Sequence, residues 1–169
     1  MRQLLLAVIT TAFAFMSLAS NAEDMTYTVV SPVPFAEGSG ASGDVKATCT
    51  LDTRLPQFIE NAAKRGVKVV VSADPGEDVE GKVLRIEFTH VLGTGGGAWS
   101  GAKSVTVRGE LIENGEVIGS FTAARYSGGG AFGGFKGTCA ILGRCVQSLG
   151  KDIAAWLKNP TMNAMLGDA

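Results

Sequence analysis

The stretch from Lys82 to Tyr126 constrains this chain most, because it holds runs of alternating apolar residues, the last two joined across Asn114-Gly115. Leu84, Ile86, Phe88, His90 and Leu92 recur at period two, as do Val105, Val107, Gly109 and Leu111, and then Val117, Gly119, Phe121 and Ala123. Period-two alternation gives each strand one apolar face, so the stretch reads as a three-stranded antiparallel meander. Register matters because a slip of one residue carries a whole side-chain set to the other face of the sheet. A two-residue Asn114-Gly115 turn would pair Leu111 with Ile118 and set apolar faces against polar ones. A three-residue loop, Glu113-Asn114-Gly115 with Gly115 in the left-handed region, pairs Leu111 with Val117, Gly109 with Gly119, Val107 with Phe121 and Val105 with Ala123. The apolar faces then coincide, and this bulged hairpin is the predicted one.

The flanking segments read as helices and strands that extend and cover this sheet. Tyr27, Val29, Val33 and Phe35 suggest a strand, which Pro32 and Pro34 would confine to an edge or reduce to an extended arm. Residues 36–43 read as a small-residue linker. Thr50 or Asp52 can cap a helix with the apolar face Leu55, Phe58, Ile59, Ala62 and Ala63; Pro56 is tolerable if it falls in the first turn, and Gly66 ends the helix. Val67 to Ala73 is a β-branched strand. From Thr138 to Asn159 the residues Ile141, Leu142, Cys145, Val146, Leu149, Ile153, Trp156 and Leu157 recur at helical spacing, and Pro160 stops the helix. Gly143 and Gly150 each cost that helix about 1 kcal/mol relative to Ala, so packing must hold it. The tail beyond Pro160 carries no strong pattern. The predicted class is α+β, an antiparallel sheet of about four to five strands with two helices packed on one face.

Residues 1–22 begin with Met1-Arg2, continue through an apolar run from Leu4 to Leu18 and end at Ser20-Asn21-Ala22. This is the pattern of a secretory signal peptide, cut after Ala22 to leave a single α+β domain, 23–169. The run is shorter than the ~20 residues that a span needs and is followed by acids, so no transmembrane segment is expected after cleavage. With no Cys at the cleavage site, a lipid anchor there is not expected, and the address is periplasmic. The full chain has 15 Lys and Arg against 16 Asp and Glu, and removal of the leader takes away only Arg2. This balance, without a basic cluster, argues against nucleic acid or an anionic membrane surface as a partner.

Three cysteines in an oxidising compartment leave one odd. Cys139 and Cys145 lie six apart on a helix, beyond the Cα separation of about 7 Å that a disulfide tolerates, so Cys49 takes one of them. Cys145 falls on the apolar stripe and Cys139 at the helix start, which favours Cys49–Cys139 over Cys49–Cys145. His90, the only histidine, falls on the apolar side of its strand and reads as packed and hydrogen-bonded; with no nucleophile or ligand cluster beside it, triad or metal chemistry has no support. No catalytic residue, metal or cofactor is predicted.

Much of the chain's glycine gathers in two segments, Gly93 to Gly101 and Gly128 to Gly137, which follow the first and third meander strands. Those strands run parallel to each other, so both segments leave the same end of the sheet and bring Trp99, Phe132, Phe135, Lys136 and Arg125 to one rim. Glycine connections with aromatics folded on the core are the plain reading; a contact rim for a partner or ligand is the sharper one. A phosphate loop at Lys136 and Thr138 fails on spacing, since Lys136-Gly137-Thr138 breaks the required Gly-Lys-Thr.

The run Gly93-Thr94-Gly95-Gly96-Gly97 with Trp99-Ser100-Gly101, the hairpin from Val105 to Phe121, and then Phe135-Lys136-Gly137-Thr138-Cys139 and Leu149-Gly150-Lys151-Asp152-Ile153-Ala154 resemble a group of exported bacterial proteins and lipoproteins of unassigned function. The resemblance covers Val67 to Pro160; it implies an exported α+β domain and brings no catalytic residue. The chain departs from the lipidated members in lacking their anchoring Cys. The expected function is that of an exported binding or accessory module of the cell envelope, which contacts a partner protein or small ligand through the Gly-rich aromatic segments. A carboxylate-based hydrolase and a self-associating structural subunit are the alternatives.

Overall fold

In a computed structural model the sheet that grows from this meander has six strands and is mixed. The structure describes residues 25–64, 66–73, 81–93, 102–127 and 137–169. The order along the chain is β1 (Met25–Val30), α1 (Gly43–Thr48), α2 (Leu51–Ala62), β2 (Val67–Ser72), β3 (Lys82–Leu92), β4 (Lys103–Glu113), β5 (Glu116–Ser127), α3 (Thr138–Trp156) and β6 (Ala164–Gly167). Across the sheet the order is β2-β1-β3-β4-β5-β6. The meander β3-β4-β5 is antiparallel as expected, but β1 pairs parallel with both β2 and β3, and β6 parallel with β5. Parallel neighbours need a crossover, and here the crossovers carry the helices: α1 and α2 between β1 and β2, α3 between β5 and β6. The expected antiparallel sheet of four to five strands with two helices is thus corrected, among the described residues, to six mixed strands and three helices. The class remains α+β.

Each addition has a local cause. β1 is an interior strand: it ends at Val30, before Pro32, so both prolines lie beyond its own ladder. The linker after it is an ordered latch: Pro34 and Ala36 exchange backbone hydrogen bonds with Phe88, and Val91 N–H donates to the carbonyl of buried Ser39 at 2.7 Å. Pro56 lies beyond the first turn of α2, and the Asp52 carbonyl that it leaves without an N–H accepts instead from Val33 at 3.0 Å. Thr50 precedes α2 with φ 48° and makes no side-chain cap. The four residues of β6 are too few to show a period.

The hairpin corrects the predicted loop. Asn114 (φ 52°) and Gly115 (φ 80°) form a two-residue turn closed by Glu113 opposite Glu116, and the register then shifts between Leu111 and Ile112. Leu111 therefore pairs with Gly119, Gly109 with Phe121 and Val107 with Ala123, and Val117 lies exposed. The inward sets do meet, as parity requires, but the extra residue sits in β5 instead of in the loop. Phe121 covers Gly109, where a Cβ would come within 3 Å of its ring, and stacks edge-on against Trp156 with centroids 4.9 Å apart.

All eight residues of the predicted apolar stripe are buried, and all but Ile141 join Leu51, Leu55 and Ile59 of α2 in one core on one face of the sheet. Among the described residues no element covers the opposite face of the sheet.

Candidate functional site

The end of the sheet where β3 and β5 finish and β4 begins is built on three supports. Leu92 pairs with Ser104 and Lys103 with Ser127, so the last residues of β3 and β5 flank the start of β4. Gly93 fits against the helices, since a Cβ there would stand 3.0 Å from Val45 and 3.3 Å from Leu142. Cys49, after α1, is bonded to Cys139 in the first turn of α3, with Cα atoms 4.8 Å apart, as the sequence favoured. Thr48 Oγ1 lies 3.6 Å from Cys139 Sγ. The strand ends that bear the Gly-rich segments are thus anchored to the helix layer on both sides of β4.

A bulge between Phe88 and His90, where the Thr89 hydroxyl donates to the Thr106 carbonyl at 3.3 Å, inverts the parity of the last part of β3. Val91 turns inward and is buried, while His90 and Leu92 face solvent. This corrects the reading of His90 as a packed side chain on the apolar face. The bulge has no alternation signal, because Thr89-His90-Val91-Leu92 fits either parity.

Arg125 is held by two carboxylates. Its Nε and Nη2 donate to Asp152 at 2.7 Å each, a bidentate pair, and Nη1 donates to Asp168 at 3.1 Å. Asp168 also accepts from the Tyr126 backbone N–H at 3.0 Å, and its own N–H donates to the Ala124 carbonyl. The hydrogen bond to Asp152 is the main influence raising the guanidinium pKa further. Arg125 therefore ties β5 to α3 and to the end of β6, with part of its side chain still open to solvent. Trp99, Phe132, Phe135 and Lys136, the other residues of the expected rim, lie outside the described residues.

The sequence reading missed Lys103, which is fully buried at the head of β4 and has an interaction of its own. Its parity with Val105 and Val107 was the available signal. Cys145 is buried and free, and burial pushes its thiol pKa up, which makes it a poor nucleophile. Among the described residues no group of three His, Cys, Asp or Glu side chains could hold a metal ion, and no helix is long and apolar enough to cross a membrane.

No family model matches the chain, and no curated protein matches it. Solved structures do. A DUF330 protein from Xanthomonas campestris superposes with a TM-score of 0.51 at 12% identity, over 79% of this chain and 85% of that one. The PelC dodecamer from Paraburkholderia phytofirmans gives 0.48 at 16% identity, over 77% and 88%. A neuraminyllactose-binding hemagglutinin homolog from Helicobacter pylori gives 0.47 at 15%, over 82% and 85%. The likeness to the DUF330 protein is one of fold.

Proposed function

We propose that the chain is an exported binding or accessory module of the bacterial cell envelope, periplasmic and without a lipid anchor, which engages a partner protein or small ligand at the anchored end of its sheet. The observation that carries this reading is the pairing of Leu92 with Ser104 and of Lys103 with Ser127. It brings the ends of β3 and β5 to the two sides of the start of β4, which supports a contact surface there that would use Trp99, Phe132, Phe135 and Lys136 with Arg125. Loop aromatics on a rigid base are a common way to build a contact surface. A disulfide at the base of that rim supports an oxidising compartment.

The test is capture from an envelope extract with the wild-type chain and with a Trp99→Ala, Phe132→Ala double variant. The variant is expected to lose capture while its unfolding free energy stays within about 1 kcal/mol of the wild type. Unfolding of the double variant would mean that the aromatics serve the core. Amino-terminal sequencing of the exported protein is expected to start at Glu23; an intact Met1 on protein from the membrane fraction would overturn the export reading.

A further inference from the structure

The face of the sheet that no described element covers carries a charge pattern that matches itself. At its centre Arg85 stands directly opposite Glu110, and Glu87 opposite Arg108, a square with like charges on the diagonals. Ion pairs among the described residues join Lys82 to Glu113 and Arg125 to Asp152 and Asp168, and none of these four side chains takes part in one. Apolar groups border the square on both sides. Toward the hairpin turn Val83, Ile112 and Val117 form one cross-strand row; toward the other end Leu92 and Tyr126 flank Ser104. Met165 lies beside Thr122 on the last strand. Tyr126 and Met165 are 62% and 66% exposed, more than a large apolar side chain needs on a strand with one buried face.

We propose that this face docks against the same face of a second copy of the chain, across a two-fold axis that runs along the strands between β3 and β4. A half turn about that axis keeps each cross-strand row level with itself and exchanges β3 for β4. Arg85 then meets the partner's Glu110, and Glu87 meets the partner's Arg108, while Val83 meets the partner's Ile112. Every charge at the centre finds its opposite and Val83 finds an apolar mate in Ile112, which is the self-complementarity a two-fold interface demands. A partner of one charge sign would meet as many like as unlike charges in the square, so a second copy fits better than an acidic or a basic surface. Aligned sheet-on-sheet packing brings two such faces together at the usual spacing. The interface is centred on the charge square and reaches the rim of strand ends only at Leu92 and Tyr126, and it does not depend on the function proposed for that rim.

Sedimentation equilibrium of the purified protein over a concentration series gives the first readout: a concentration-dependent dimer is expected, weakened about tenfold or more by Arg108→Glu. The second uses a charge-inverted variant, Arg85→Glu with Glu87→Arg, Arg108→Glu and Glu110→Arg, which keeps every cross-strand pair complementary and so keeps the fold. It is expected to dimerise with itself and, by native mass spectrometry of a mixture, to form no dimer with the wild type. A protein that stays monomeric, a dimer that Arg108→Glu leaves intact, or free mixing of the inverted variant with the wild type would each overturn the proposal.

Discussion

A Cβ placed on Gly150 of α3 would stand 2.6 Å from the Cβ of Phe58 on α2. Gly143, two turns earlier on the same face, meets the Arg54 guanidinium at 2.8 Å in the same way. The two helices touch backbone to backbone at Gly150, and the propensity that glycine sacrifices is returned as close packing. Gly150→Ala should therefore destabilise, against its helix propensity, by roughly 1 to 3 kcal/mol in urea unfolding. Gly143→Ala should cost less, since the end of Arg54 can swing aside. A neutral or stabilising Gly150→Ala would show that the helices can part without loss.

The Cys49–Cys139 bond spans 90 residues of sequence, and closing a loop of that size in the unfolded chain stabilises by about 4 kcal/mol, less any native strain. Cys49→Ser is expected to lower stability on that scale. Peptide mapping without reductant should find Cys49 joined to Cys139, and alkylation should reach buried Cys145 only after denaturant is added. Labelling of Cys145 in the native protein would contradict its burial.

Parity made the meander legible: once Leu84, Ile86 and Phe88 face the core, the inward sets of β4 and β5 must join them, and Val107, Leu111, Phe121 and Ala123 do. What parity could not supply was the position of the extra residue. A bulge after Leu111 and a bulge in the turn satisfy the same alternation, and Asn114-Gly115 suits both. The second bulge, at Thr89, flipped His90 outward with no change in composition to announce it. β1 was misplaced for another reason. Pro32 and Pro34 sit inside the apolar pattern of Tyr27 to Phe35 but follow the strand, and the parallel pairing of β1 depends on a crossover whose ends lie far apart in sequence. The stripe on α3 was readable because helical spacing is redundant over nineteen residues; β6, with four, offers no such redundancy. Of the expected rim, only Arg125 is among the described residues, and its partners Asp152 and Asp168 are separated from it by 27 and 43 residues.

The clamp on Arg125 depends on the planar fork that meets Asp152 through two nitrogens. Arg125→Lys keeps the charge and loses that geometry, so it should destabilise by about 1 kcal/mol, since the pair is partly exposed and screened. Asp152→Asn should cost more than Asp168→Asn, because Asp168 is the more exposed and engages a single nitrogen of Arg125. Hydrogen exchange is the sharper measurement: the N–H of Asp168 and the amides of β6 should lose protection in Arg125→Lys before the meander does. Equal protection in both proteins would show that β6 is held by its pairing with β5 alone.

Burial, with a smaller contribution from Glu113, holds the Tyr27 phenol above its ordinary pKa; its ring is fully buried and its hydroxyl lies 3.6 Å from Met25 Sδ. The folded state thus retains a proton that the unfolded chain surrenders near pH 10. The resulting stabilisation is fully present below that pH and is lost as pH rises through the higher folded value, by up to about 1.4 kcal/mol per pH unit for one proton. Cys145 acts in the same direction from a lower pH, so wild type alone would not separate the two. Tyr27→Phe removes the phenol and leaves Cys145 in place. Urea midpoints measured at pH 7 and again near pH 11 should fall further in the wild type than in Tyr27→Phe, and the difference between the two declines is the share of Tyr27. Parallel declines would mean that the Tyr27 hydroxyl reaches solvent in the folded protein and titrates as it does in the unfolded chain.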